Sequence, residues 1–361
     1  MSNHRRSTLP PLRIAQVVPV AQSLPPSKSG SIETMTSLLV DGLVRKGHQV
    51  TLFATASSQT TGKLESTFMS GYNEDDSLWP WEFCEVLNVS KAVERSSFFE
   101  VIHCHAEYAP FSLAFQRMSQ TPLVHTVHHS PTPPEVLLWR RYPEAPFIAI
   151  SNSQAQKLAE LRVVGTVHHA VDITQFRFNP HPDDYLLFLG RFTKEKGVIE
   201  AIHAAKKLKL RLVLAAAKNS YYLHEVAPLV DGKNIIYEGE LDLERKIELL
   251  GKARALLYPV QADEPFGLVM AESMSCGTPV AALNRGAVSE LIQDGYSGGI
   301  FDTMEDLVNG LHRVTTLDRV AVRTHAVSRF SPDKMVDEYL SLYRKLAREL
   351  TPTVASEIEP S

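Results

Sequence analysis

The sequence predicts an α/β protein built from two open parallel sheets in tandem, facing each other across a cleft. Three observations predict it. Short apolar runs alternate with stretches of helical spacing, which is the strand–helix–strand rhythm of a parallel sheet. That rhythm stops at a polar, proline-containing stretch, residues 176–184, and then starts again. The chain has 361 residues, too long for one ordinary core and suited to two units of roughly 150–200 residues each.

The elements follow in order. Residues 13–20 form a short apolar run typical of a buried parallel strand. A loop rich in Pro, Ser and Gly covers residues 22–31. Residues 32–46 have helical spacing, with Met35, Leu38, Leu39, Gly42 and Leu43 on one face. Gly47 ends that helix, and residues 48–54 are the next strand. Further strands are expected at 101–105, 123–128 and 147–151. After the break come strands at 185–190, 211–216, 234–237, 255–258 and 279–282. Helices are expected between them at 199–208, 243–253 and 267–276, and a last amphipathic helix over 331–350. The resulting division is a flexible lead-in (1–11), a first unit (12–172), a linker (173–184) and a second unit (185–330). The helix 331–350 would pack back toward the first unit, followed by a flexible tail (351–361).

Composition narrows the function classes. A net charge of −4 provides no broad basic field, so nucleic acid is not an expected partner. Cys84, Cys104 and Cys276 are too scattered for a disulfide framework or a metal cluster and fit a reducing cytoplasm. No apolar run approaches the roughly 18 residues of a spanning helix. The first residues do not read as a signal peptide. No basic amphipathic helix points to a membrane surface. The expected setting is cytoplasmic.

Ligands of open α/β sheets bind at the carboxyl ends of the strands, so the loops after strands carry the chemistry. The loop after strand 185–190 reads GRFTKEKG and supplies Arg191 and Lys196. Two cations there suit a diphosphate, Arg as a bidentate fork and Lys as a point charge. A solvated basic loop is the plainer alternative. The loop after strand 255–258 and the helix behind it read EPFGLVMAE, with Glu264, Phe266, Gly267, Leu268 and Glu272. Gly267 would open a helix whose first amides receive an anion or oxyanion. Glu272, more than one turn in, suits the vicinal hydroxyls of a ribose. The alternative makes Glu264 a helix cap and Glu272 a surface residue. Capping does not account for the Pro-Phe-Gly between them or for the Gly-Thr-Pro stop after them.

Histidines are the remaining candidates. His103 and His105 are read as pointing to opposite faces of their strand and so as unable to share a metal. His125, His128 and His129 are denser, but no Cys or Asp accompanies them at ligand spacing, so no metal site is expected. The run Glu74-Asp75-Asp76 reads as a solvated loop. Gly30 stands alone after the first strand, without the Gly-x-Gly-x-x-Gly of a dinucleotide oxidoreductase. Trp79 and Trp81 are expected in the core, and Tyr108 and Trp139 either there or lining a pocket.

The strings GRFTKEKG, EPFGLVMAE and SMSCGTPVAALNRGAVSELIQDGYSGG occur in the order and spacing of a known family. Together they resemble the retaining family 4 glycosyltransferases, glycosyltransferase group 1, of the GT-B fold with two Rossmann-like domains. The first half is similar through PPSKSGSIET…LLVDGLVRKGHQVTLFA and VIHCH, and the resemblance spans roughly residues 12–347. It implies transfer of a hexose from a nucleotide-sugar donor, a UDP-sugar before a GDP-sugar. The acceptor is undefined: a sugar, a lipid-linked sugar or a small molecule. It implies retention of configuration, no metal and no other cofactor. It places Arg191 and Lys196 on the donor diphosphate and Glu272 on the ribose. It sets Glu264 at the transferred sugar, helped by the amides of Phe266, Gly267 and Leu268. His105 would reach the sugar or phosphate from the first domain, Gly30 would approach the donor phosphates, and His128 would line the acceptor side. Two residues depart from the pattern. Ser31 stands where the family has a second glycine, and Ala170 stands where it often has Gly, a strained place if the backbone there has positive φ. A nucleotide-sugar epimerase of the same fold and a non-catalytic sugar-nucleotide-binding protein are the alternatives.

Overall fold

The structure, a computed structural model, describes residues 10–26, 30–107 and 109–349. The Ser27–Ser29 part of the glycine-bearing loop, Tyr108 and the expected flexible ends up to residue 9 and from 350 lie outside the described residues. Seven strands form the first sheet: β1 (Arg13–Val17), β2 (Gln49–Ala54), β3 (Lys63–Ser66), β4 (Val101–Ala106), β5 (Leu123–Val127), β6 (Pro146–Ala149) and β7 (Arg162–Thr166). Their order is β3-β2-β1-β4-β5-β6-β7. Six strands form the second: β8 (Leu186–Leu189), β9 (Leu212–Ala215), β10 (Ile235–Gly239), β11 (Ala255–Tyr258), β12 (Val280–Leu283) and β13 (Gly298–Phe301), in the order β10-β9-β8-β11-β12-β13. All these pairings are parallel. Each sheet runs outward in one direction and then reverses, so β1 lies beside β4 and β8 beside β11. Those reversals are the switch points where open α/β sheets hold ligands.

The strands are short apolar runs because both faces of each sheet are covered. β4, β5, β9, β11 and β12 are buried at every position. In the first unit the helices are α1 (Ser31–Arg45), α2 (Trp81–Val93), α3 (Pro133–Trp139) and α4 (Asn152–Lys157). In the second they are α5 (Val198–Leu208), α6 (Leu243–Lys252), α7 (Leu268–Ser275), α8 (Val288–Leu291), α9 (Met304–Thr315) and α10 (Arg319–Arg329). Local chemistry sets several starts. The side chains of Ser151, Asp242 and Thr303 each accept a backbone N–H of the first turn behind them.

The last helix, α11 (Pro332–Glu349), belongs to the first core. Met335, Val336, Tyr339, Leu340, Tyr343 and Leu346 pack with Met35, Leu39 and Leu43 of α1. Gly42 permits this approach, since a Cβ there would lie 2.4 Å from Val336 Cγ2. Tyr343 is fully buried and reaches polar groups under the sheet. Its hydroxyl receives Gln16 Nε2 at 3.0 Å and donates to His103 Nδ1 at 2.6 Å.

Three expectations differ from the structure. Trp79 is 77% exposed instead of buried, while Trp81 is half-buried against Tyr72 and Phe111. Ala170 is unstrained, because Lys209 is the one non-glycine residue with positive φ among the described residues. His103 and His105 lie on one face of β4, with ring centroids 4.0 Å apart. Residues two apart on a strand share a face, and that period decides the case.

Replacing Tyr343 by Phe leaves two buried polar groups without their partner. The expected loss is about 1–3 kcal/mol of stability, read from the denaturant midpoint. An unchanged midpoint would show that the hydroxyl does not anchor α11.

Candidate active site

The two loops singled out by their charges meet because β8 and β11 are neighbours. The chain leaves β8 at Gly190 and turns through a single 3-10 turn, Lys194–Lys196, into α5. Gly197 makes that turn with φ +75°, and a Cβ there would sit 1.9 Å from the Pro259 carbonyl oxygen. Only glycine fits both the dihedral and the gap. The Gln261 amide then donates to the Glu195 carbonyl at 2.7 Å, stitching the loop after β11 to the loop after β8.

This stitching delivers Lys196 to Glu264. The ammonium donates to Glu264 Oε2 at 2.6 Å and to the Tyr258 hydroxyl at 3.2 Å. Tyr258 donates to the same carboxylate oxygen. Glu264 is 6% exposed, so its charge has left water and is held by a cation and a hydroxyl instead. Burial first, and the neighbouring carboxylate second, push the Tyr258 phenol well above its ordinary value, which keeps it a donor. The Glu264 backbone is also fixed, its carbonyl receiving the Ala287 amide at 2.8 Å.

Behind Glu264, Phe266 is buried and Gly267 precedes α7 with φ +87°. A Cβ at Gly267 would meet Met270 Cε at 2.4 Å and Glu264 Cγ at 3.1 Å. The helix therefore begins against the carboxylate, with Leu268 as its first residue. Glu272, one turn further, is 4% exposed and not a surface residue. Its Oε1 receives Lys246 Nζ of α6 at 2.5 Å. Lys246 had no sequence signal beyond its place in a helix, since ERKIELLGK carries several cations.

Arg191 follows β8 on the same side but is exposed and makes no ion pair among the described residues. Its charge is felt by Tyr258 and Glu195. Gly30 precedes α1 with an extended backbone, φ 172°. Close approach explains that glycine, because a Cβ would lie 2.6 Å from both Gln22 Nε2 and Glu33 Oε2. Ser31, the departure beside it, is exposed.

His105 is buried, with both ring nitrogens engaged. Nε2 faces Gln16 Oε1 at 2.9 Å, and Nδ1 faces His128 Nε2 at 3.1 Å. The dense group of histidines is dispersed. His125 bonds Ser112 and Gln116, His128 joins His105, and His129 meets Glu135. Among the described residues no three His, Cys, Asp or Glu side chains are grouped to hold a metal ion.

Contacts between the two units surround this site. Glu290 of α8 caps α4, accepting the amides of Asn152 and Ser153, both at 2.7 Å, and it meets His168 Nε2 at 3.1 Å. Lys157 pairs with Asp263 at 2.8 Å. The rings of His168 and His169 pack against Phe266. The quoted string GAVSELI contains Glu290, but nothing in it tells that the partner is a helix of the other unit.

Two family models match the chain: Glycosyltransferase Family 4 over residues 32–175 and Glycosyl transferases group 1 over residues 172–326. A phosphatidyl-myo-inositol mannosyltransferase of Mycolicibacterium smegmatis is 26% identical over 316 residues, covering 80% of each chain. A D-inositol 3-phosphate glycosyltransferase of Thermobifida fusca is 31% identical, over 53% of this chain and 52% of its own. Among solved structures, AviGT4, a glycosyltransferase involved in avilamycin A biosynthesis, superposes with a TM-score of 0.72 at 23% identity. That match covers 94% of this chain and 98% of that one. Anabaena HepE in complex with UDP and glucose gives 0.69 at 16% identity, covering 92% and 100%. These likenesses show the two-domain GT-B fold. No helix among the described residues is long and apolar enough to cross a membrane.

Two outcomes are expected. Gly197→Ala forces a strained dihedral and a clash at the seam of the two loops, costing about 1–3 kcal/mol. The denaturant midpoint reads this, and an unchanged value contradicts the seam. The second outcome concerns pH. Burial holds His103, His105 and His128 well below the ordinary histidine value, and His125 and His169 down to about 3. Such rings take up protons on unfolding below about pH 6.5, so their contribution is kept above that pH and lost on acidification. Glu85, raised to about 8, and Glu33, also raised, act in the opposite sense but are outnumbered. The melting temperature should fall from pH 7 to pH 5, and a flat or rising curve would refute the buried neutral histidines.

Proposed function

Because this chain belongs to the family 4 glycosyltransferases and is a glycosyltransferase, we propose that it transfers a hexose from a nucleotide-sugar to a hydroxyl-bearing acceptor. The observation that carries the reading is the Lys196–Glu264 pair at 2.6 Å, set between two switch-point strands and beside the start of α7. In this reading Lys196 and Arg191 receive the charge that develops on the diphosphate as the glycosidic bond breaks. Fixed cations aimed at developing charge favour the transition state over the ground state. Glu264, with the amides of Phe266, Gly267 and Leu268, orients hydroxyls of the transferred sugar. Glu272, steadied by Lys246, receives the ribose hydroxyls. Gly30 stands at the first-unit side of the donor phosphates, and His105 lies under the sugar.

A UDP-sugar is the favoured donor, with a GDP-sugar second, and HepE with its UDP and glucose supports that order. The acceptor is a sugar, a lipid-linked sugar or a small molecule, and the phosphatidyl-myo-inositol and D-inositol 3-phosphate transferases among the relatives support an inositol-bearing acceptor, lipid-linked or free. Configuration is retained, with the departing phosphate accepting the acceptor's proton, and cations of the chain take the place of a divalent metal.

The test is an assay of nucleoside diphosphate release from UDP-glucose, UDP-galactose and GDP-mannose, with and without myo-inositol and simple sugars. At least one donor should turn over, EDTA should leave the rate intact, and Lys196→Ala should lower turnover about 10²–10³-fold. A Lys196→Ala protein with unchanged turnover refutes the role of this cation, and rate loss in EDTA refutes metal independence.

A further inference from the structure

Gln16, His105, His128 and His169 form a file of hydrogen bonds whose direction is set at one end. Gln16 donates from Nε2 to the Tyr343 hydroxyl at 3.0 Å, so its Oε1 is the acceptor for His105. His105 therefore donates from Nε2, at 2.9 Å, and its Nδ1 is a bare acceptor. His128 donates to that nitrogen from Nε2 at 3.1 Å. The bare Nδ1 of His128 faces His169 Nε2 at 3.3 Å, which must be the donor. Each neutral ring has one N–H, and each spends it toward Gln16.

The file leaves one group over. His169 Nδ1 carries a lone pair, is buried, and has no partner among the described residues. The residue as a whole is 5% exposed. Buried acceptors in native proteins are almost always satisfied. The ring stacks on His128 at 5.1 Å and packs on Phe266 at 4.9 Å, so the imidazole sits in the seam between the first unit and the loop that carries Glu264.

We propose that His169 is a substrate-binding residue whose bare Nδ1 accepts a hydrogen bond from a hydroxyl of the transferred sugar. The file from Gln16 directs every ring proton away from the seam and holds that nitrogen as an acceptor. This rests on the glycosyl-transfer reading and adds a specificity determinant to it: the site selects a sugar that presents a hydroxyl at this point.

Two variants separate the two nitrogens. His169→Gln places an amide near the position of Nε2, keeping the donor to His128 and leaving nothing at Nδ1. His169→Asn places an amide near Nδ1 and drops the link to His128. Both are assayed with the nucleotide-sugar the wild type uses and with its 2-, 3-, 4- and 6-deoxy analogues. His169→Gln should melt near the wild type and lose about 10–100-fold in kcat/KM for the donor, with His169→Asn recovering most of the loss. One deoxy analogue should be a poor donor for the wild type, yet lose nothing further in His169→Gln. Equal activity of His169→Gln and wild type overturns the inference. So does an analogue penalty that is the same in both proteins. If His169→Gln fails to fold, a wild type indifferent to all four deoxy positions overturns it as well. A wild type that turns over no nucleotide-sugar removes the underlying reading and the inference together, whereas an active wild type with an unaffected variant removes the inference alone.

Discussion

A carboxylate taken out of water needs a partner supplied by the fold, and the Lys196–Glu264 contact at 2.6 Å meets that need here. The two residues are 68 apart in the chain. They meet because β8 and β11 are adjacent at the reversal of the second sheet, and because Gly197 lets one loop close onto the other. The Tyr258 hydroxyl completes the arrangement from the end of β11. Phe266, Gly267 and the start of α7 are positioned from Glu264 onward. The candidate site is thus built around a buried charge pair, a device that contributes little to stability by itself.

The two units are joined by equally specific contacts. Glu290 neutralises the amino end of α4, and α11 leaves the second unit to complete the core of the first. Opening the cleft by a rotation of the units would have to break the Glu290 cap, the Lys157–Asp263 pair and the packing of His168 and His169 on Phe266. Those contacts involve Asp263 and Phe266 of the loop that carries Glu264, so the relative placement of the units and the geometry of that loop are physically linked.

Much of the fold was legible because parallel strands buried on both faces are continuous apolar runs. The strand expected at 255–258 has those limits in the structure, and the helices expected at 199–208 and 243–253 agree within a residue. Outside the expected elements fell β3, whose KLES run is polar at an edge, α2, whose aromatic start reads equally as loop, the strands β7 and β13, and the helices α3, α4, α8, α9 and α10. Trp79 looked like core by type, but a large apolar side chain on the surface is permitted and type alone cannot place it. His103 and His105 share a face of β4, as the two-residue period of a strand requires, against the expectation of opposite faces.

Taken alone, the sequence determined the alternation of strands and helices over most of both sheets and placed cations and carboxylates on loops that follow strands. Those are properties of short windows: apolar periodicity, turn residues, and the offset of a charge from the end of a strand. Only the tertiary structure decided that Lys196 faces Glu264, that Lys246 steadies Glu272, and that Glu290 serves the other unit. It alone decided that His105 of β4, His128 just after β5 and His169 share one line of hydrogen bonds. Such pairings join residues distant in the chain, and they follow from which strands lie side by side and how two sheets meet.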